Sequence, residues 1–195
     1  MEVTLARKID KKSILVFLAE NSNKSKKSLE NIEKIRESIL REHAKKEKIS
    51  SMVEKALSTL KIPDPPLDEH DLLTGQKLRD YSQSLEELSK RLQDLAGVFS
   101  EIDKLLPQLE RKTVELKKLA EALTAISPSL SSEILKLTNK SEKLLSSLDT
   151  EDPYRALDEA QSLLREGLRL EKIGKNAYKQ TVSSILEEIN ATKLV

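Results

Sequence analysis

The sequence predicts an all-α protein: an elongated helical bundle or coiled coil built around one long central heptad helix, with Pro-linked N-terminal helices and shorter C-terminal helices. The chain of 195 residues has only four glycines, well below the usual share of about 7%. It has two Phe, three Tyr and no Trp, so aliphatic side chains must fill its core. Charged residues make up 34% of the chain, as is typical of long, solvated helices.

A heptad seam after the linker is the clearest signal. Steps of three and four residues from Leu78 meet a hydrophobic side chain at 13 of 14 positions. Such a stripe lies on one helix face and must be buried against another helix. A period of 3.5 residues held over six heptads predicts left-handed supercoiling. The positions are Leu78, Tyr81, Leu85, Leu88, Leu92, Leu95, Phe99, Ile102, Leu106, Leu109, Thr113, Leu116, Ala120 and Leu123.

The prolines divide the chain into four regions. Pro63, Pro65 and Pro66 predict a semi-rigid linker over residues 62–71, which separates an N-terminal helical region, 1–61, from the long heptad helix, 72–126. Pro107 falls inside the seam, but the register continues unshifted, which favours one kinked helix over a tight hairpin. Residues 127–195 are predicted to form C-terminal helices that complete the bundle.

Two helix starts are predicted in the C-terminal region. Ser127-Pro128 and Asp152-Pro153 each place a capping residue before a proline at the first helical position. Gly174 either ends the last helix or lies within it. The apolar positions assigned to the last helical region are Leu157, Leu164, Leu168, Tyr178, Val182, Ile185 and Ile189.

The N-terminal region carries a second, weaker seam. Seven of its nine positions are apolar, and the two exceptions, Glu42 and Lys46, are spaced to pair across one helical turn. We interpret this interruption as a partly exposed stretch of helix. The seam comprises Ile32, Ile35, Ile39, Glu42, Lys46, Ile49, Val53, Ala56 and Leu60.

The net charge of +1 hides a dipolar chain. Residues 1–61 hold 15 basic and nine acidic side chains, whereas residues 62–195 hold 19 basic and 24 acidic ones. The basic part is interpreted as a solvated helix face, as a surface complementary to the acidic 62–103 stretch or a partner, or as a phosphate contact. Candidate contacts with nucleic acid or another anion are Lys24, Lys26, Lys27, Lys45 and Lys46.

No catalytic residue, cofactor site or metal site is predicted. The chain has no cysteine, and neither His43 nor His70 has a metal-ligand motif around it. His43 is expected at a surface or an interface. No Gly-x-Ser-x-Gly elbow is present, and we do not expect an enzyme. The absence of cysteine favours a reducing, cytoplasmic setting, and the longest apolar run, six residues from Ile14, is too short to span a bilayer.

One short motif resembles a known family. Leu88, Arg91, Leu92 and Leu95 fit the pattern Leu-x-x-Arg-Leu-x-x-Leu. This pattern is similar to the helical tail motif with which ESCRT-III-type subunits, which form membrane-remodelling filaments, bind an ATPase adaptor domain. The resemblance implies a filament subunit that contacts a membrane surface. The basic N-terminal part and acidic remainder are similar to the charge layout of that family.

The seams favour a non-catalytic coiled-coil protein that acts as a structural, scaffold or assembly subunit. It is expected to form a homo- or hetero-oligomer through self-association or a protein partner. The alternatives are a nucleic-acid-associated structural protein that uses its basic N-terminal helices, and the filament subunit described above. The candidate partner-binding residues are Leu85, Leu88, Leu92, Leu95, Phe99 and Ile102.

Overall fold

The computed structural model describes residues 11–43, 49–65, 75–146, 148 and 152–192. Within these ranges the chain forms five helices and no strand, which confirms the predicted all-α class. The helices are α1 (Lys11–His43), α2 (Ser50–Thr59), α3 (Gln76–Leu123), α4 (Pro128–Ser146) and α5 (Pro153–Thr192). Lys45, Lys46, His70 and residues 66–71 of the predicted linker lie outside the described residues.

Helix α3 carries the central heptad seam. It is one helix of 48 residues, and Pro107 lies within it with its ring exposed, so the chain continues through this proline. Of the 14 seam positions, all but Tyr81 are buried, and Tyr81 is half-buried. Because these residues share one face, their burial leaves the opposite face of α3 to charged side chains.

The chain divides into two compact units. The first comprises Met1–Lys45 and Val53–Gly97, and the second comprises Lys46–Met52 and Val98–Val195. In the first unit, the Asn31 amide donates a hydrogen bond of 2.7 Å to the Ser89 hydroxyl, which joins α1 to α3. Burial raises the pKa of the Tyr81 hydroxyl, and the nearby negative charge of Asp64 raises it further. The residues after α2 therefore pack near the start of α3.

The second unit contains three antiparallel neighbours in chain order: the second half of α3, then α4, then α5. Residues 124–127 form the turn between α3 and α4, where the Ser131 hydroxyl donates to the carbonyl of Ala120 at 2.7 Å. Lys117 of α3 forms an ion pair with Glu142 of α4. Helices α4 and α5 are joined by Arg169 and Glu133, at 3.3 Å.

Both predicted helix starts in the second unit are confirmed. Helix α4 begins at Pro128, and the amide of Ser131 donates to the carbonyl of Ser127 at 3.0 Å. Helix α5 begins at Pro153, where the carboxylate of Asp152 accepts hydrogen bonds from the amides of Tyr154 and Arg155, at 3.0 and 3.3 Å. The two bonds to Asp152 satisfy amides that have no partner inside the helix.

The buried face of α5 differs from the one that the sequence indicates. Leu157 and Leu164 are only half-buried, and Leu168 is 56% exposed. The buried seam lies one residue earlier in register and consists mostly of small residues. It comprises Ala156, Ala160, Leu163, Gly167, Leu170 and Gly174.

Small side chains let α5 approach its neighbours closely. A Cβ atom placed on Gly167 would lie 3.2 Å from Leu116 and 3.8 Å from Leu137, so this glycine contacts both α3 and α4. A Cβ atom on Gly174 would lie 2.8 Å from Leu119 and 2.9 Å from Leu123. Gly174 therefore does not end α5. It lies within the helix and makes room for the two leucines.

The N-terminal seam is divided between two helices. Helix α1 ends at His43 and α2 begins at Ser50, so Glu42 lies near the end of a helix and is exposed. Its carboxylate accepts a hydrogen bond of 2.8 Å from the Ser38 hydroxyl, which lowers the Glu42 pKa. His43, expected at a surface or an interface, is instead buried.

We expect Gly174→Val to destabilise the second unit by about 1 to 3 kcal/mol, because the new side chain overlaps Leu119 and Leu123. Gly97→Ala is the matched control. A Cβ atom on Gly97 of α3 meets nothing within 4 Å, so alanine should stabilise the helix by about 0.5 to 1 kcal/mol. Urea unfolding followed by circular dichroism measures both, and equal effects of the two substitutions would show that Gly174 is not tightly packed.

Candidate functional site

The C-terminal part of α5 is the candidate functional site. Gly174 contacts Leu123, the last residue of α3, so the bundle of the second unit ends at this level. Helix α5 continues to Thr192, which is 18 residues and about 27 Å further. Every residue from 183 to 191 is exposed. This part of α5 therefore projects beyond the turn that joins α3 and α4.

An apolar stripe runs along the projecting part. We name it the C-terminal stripe and define it as Tyr178, Val182, Ile185, Leu186 and Ile189. Val182 is half-buried, and the other four side chains are 44%, 49%, 54% and 46% exposed in chain order. Four members are separated by steps of four, three and four residues, which is heptad spacing, and Leu186 widens the face by one position.

The C-terminal stripe is not a continuation of the buried seam of α5. The register of Gly167, Leu170 and Gly174 continues to Ala177, Thr181 and Ser184, which are small or polar. The stripe lies one residue later in register, and one residue turns the chain by about 100° around the helix axis. It therefore lies at the side of the buried seam, in the register of Glu171 and Lys175, and becomes exposed where the bundle ends.

A group of charged side chains holds α5 against α3 just before the stripe. Lys112 forms hydrogen bonds to Glu171 at 2.8 Å and to Glu115 at 2.6 Å, and Glu171 also pairs with Lys175. The side chains of Lys112 and Glu171 are only 18% and 15% exposed. Hydrogen bonds from Lys112 and Lys175 lower the pKa of Glu171, whereas those to Glu115 and Glu171 raise the pKa of Lys112.

This ion cluster interrupts the apolar register of α5. Glu171 and Lys175 occupy the heptad positions between Leu168 and Tyr178. Glu171 pairs with Lys112 of α3 and with Lys175, so these side chains already have partners within the chain. The cluster thus fixes the rotation of α5 and marks where the C-terminal stripe begins.

The six residues that the sequence indicates for partner binding lie inside the chain's own fold. All are buried, and Leu85, Leu92 and Phe99 have no exposed surface. Leu88, Leu92 and Leu95 of the ESCRT-III-like pattern are among them, while Arg91 is exposed. Their role as partner contacts stays a prediction; in the described structure they form core packing.

The candidate anion contacts are only partly described. Lys24, Lys26 and Lys27 are exposed on α1. Lys24 lines a polar groove of about 670 Å³ in the first unit, which contains as many carboxylates as cations and so offers an anion no net charge. The groove is lined by Glu20, Asn21, Lys24, Arg79, Ser82, Gln83, Glu86, Glu87 and Lys90.

Two further findings concern the described residues as a whole. They contain no group of three or more His, Asp or Glu side chains placed to hold a metal ion. No helix in these ranges combines the length and the apolar character that a membrane crossing requires.

Comparison of the chain with protein families, curated proteins and solved structures finds no match. Sequence reasoning included Tyr178, Val182, Ile185 and Ile189 among the apolar positions of the last helix but did not identify them as a contact surface. The glycines at 167 and 174, in register with Ala160 and Leu170, are the signal for a separate buried seam.

We expect Glu171→Gln to lower the free energy of unfolding by about 1 to 2 kcal/mol at neutral pH, because it leaves Lys112 without its buried carboxylate. The folded pKa of Glu171 is lowered, so its contribution is present above the unfolded value of about 4.3 and is lost as the pH falls through the folded pKa. Urea unfolding at several pH values measures the difference.

The difference between wild type and Glu171→Gln should therefore shrink in acid. Glu159→Gln, at an exposed position of the same helix, is the control and should change stability little at any pH. A difference that stays constant from neutral pH to about pH 3 would show that the ion pairs of Glu171 do not cause it.

Proposed function

We propose that this chain is a non-catalytic structural protein, a scaffold or assembly subunit, which joins its partner through helix–helix contacts of the C-terminal stripe. The single observation that carries the proposal is the exposed apolar stripe at heptad spacing on a helix that projects past its bundle. The second unit is itself a helical bundle joined by helix–helix contacts.

The spacing of the stripe supports a helical partner. Side chains at heptad positions pack as knobs into holes formed by four residues of a facing helix. A stripe that includes Leu186 beside Ile185 and Ile189 is wider than a strict two-position seam, which suits a partner with its own broad apolar face. Single exposed apolar side chains need no such explanation, but five apolar side chains on one face do.

The energetics support a reversible contact. Four of the five stripe side chains are about half exposed, so covering each contributes roughly 1 kcal/mol, and half-buried Val182 adds less. With a similar number of side chains from the partner the total is roughly 8 to 10 kcal/mol, against a cost of association of about 4 kcal/mol and upward. The surplus, up to about 6 kcal/mol, corresponds to dissociation constants of tens of micromolar, where assembly responds to concentration.

The projecting helix also gains from being covered. A helix end without tertiary contacts is only marginally stable in water, since most helical stability in proteins comes from packing of an apolar face. Residues 183–191 are exposed on all sides. Pairing with another helix would supply the tertiary packing that this segment lacks.

A photoreactive benzoyl-phenylalanine at position 186 tests the proposal in cells that naturally produce the chain. We expect irradiation to give a cross-linked product of defined mass, because Leu186 lies on the contacting face. The same group at Ser184 is the control, since that exposed position lies on the other side of the projecting helix. Substitution of Ile185 and Ile189 by Asp should reduce the product at least about tenfold.

The result that contradicts the proposal is equally specific. Cross-linking from position 186 that does not exceed cross-linking from position 184 would show that the stripe contacts no partner. A product that persists unchanged in the variant with Asp at 185 and 189 would place the contact elsewhere on the chain.

A further inference from the structure

We infer that the occupant of the C-terminal stripe is the same stripe of a second copy of this chain, paired in antiparallel orientation. This inference rests on the proposed function and identifies the partner. Three features support a second copy as the partner: the self-complementary spacing of the stripe, the charges at its two ends and the length of the projecting helix.

The stripe is complementary to itself when one copy is reversed. With the symmetry axis between residues 183 and 184, Tyr178 lies level with Ile189 of the second copy. Val182 then lies level with Ile185 of the second copy. Each of these layers pairs an isoleucine with Tyr178 or Val182, and Leu186 lies level with Thr181 of the second copy.

The charges favour this orientation over a parallel one. The stripe begins in a stretch with Glu171, Lys172, Lys175 and Lys179, of net charge +2, and ends beside Glu187 and Glu188. Reversal brings the lysine-rich end of one stripe level with the glutamate-bearing end of the other. A parallel pair in register would instead bring the two lysine-rich ends level with each other, and likewise the two glutamate-bearing ends, which is unfavourable.

The length of the projecting helix fits the same arrangement. Gly174, the last α5 residue that contacts the end of α3, lies just beyond the level of Thr192, the last residue of α5, of the second copy. Residues 175–192 of each copy therefore overlap almost completely. The opposed helix dipoles of such a pair add a small favourable contribution.

Sedimentation velocity over a concentration series gives the first test. We expect the purified chain to change from monomer to dimer in the micromolar range. The variant Ile185→Asp with Ile189→Asp should remain monomeric, because four buried charges per dimer would have no partner. The variant Gln180→Asp with Ser184→Asp carries the same charges at the same spacing on the other side of α5, and should dimerise like the wild type.

Distances between spin labels give the orientation. The chain has no cysteine, so Ser184→Cys and Lys172→Cys each supply one labelling site at an exposed position. In the antiparallel dimer the labels at 184 lie at nearly the same level along the helix axis, whereas those at 172 are about 35 Å apart along it. Labels at 184 should therefore give a shorter distance than labels at 172. Circular dichroism confirms that each variant remains helical.

Each alternative outcome has one meaning. Similar short distances at both sites would overturn the antiparallel pairing in favour of a parallel one. A dimer that the Asp variant at 185 and 189 also forms would overturn the stripe as the interface. A chain that stays monomeric at about 100 μM overturns the second copy as occupant. In that last case, cross-links from position 186 to another protein would still support the proposed function, whereas their absence would remove both.

Discussion

Burial of the leucine-rich seam of α3 is the constraint on which the rest of the structure depends. One helix, Gln76–Leu123, supplies apolar side chains to both compact units, and nearly every seam position is buried by the chain's own packing. Helix periodicity places these residues on one face, so α1, α2, α4 and α5 have to supply the surfaces that exclude water from it. A seam used in this way forms the core of the chain's own fold.

The close packing of α5 decides which face remains outside. Gly167 and Gly174 let the helix approach Leu116, Leu119 and Leu123, and a Cβ atom on Gly174 would overlap the last two. Lys112 and Glu171 then fix the rotation of the helix with short, partly buried ion pairs. Since the small residues face inward, the larger apolar residues one position later in register lie at the edge of the packed face, and beyond the bundle they form the C-terminal stripe.

Local signals in the sequence predicted much of the fold. Ser127-Pro128 and Asp152-Pro153 marked two helix starts because capping and proline geometry act within one helical turn. The unshifted register across Pro107 indicated a continuous helix, which α3 is. The interruption of the N-terminal seam was harder to interpret. A polar residue such as Glu42 gives the same pattern at the end of a helix as in a partly exposed stretch of helix. The face of α5 was assigned to its large apolar residues because glycine and alanine contribute little to a hydrophobic stripe.

By itself, the sequence determined that the chain is helical, where its capped helices begin and which face of α3 is apolar, because these properties depend on the spacing of nearby residues. Only the tertiary structure decided which apolar stripes are covered. Leu95 and Ile185 occupy equivalent heptad positions, yet Leu95 is 4% exposed and Ile185 is 49% exposed. The physical reason is that periodicity specifies a face, whereas burial requires a neighbour, and the bundle ends near Gly174, before the stripe of α5 begins.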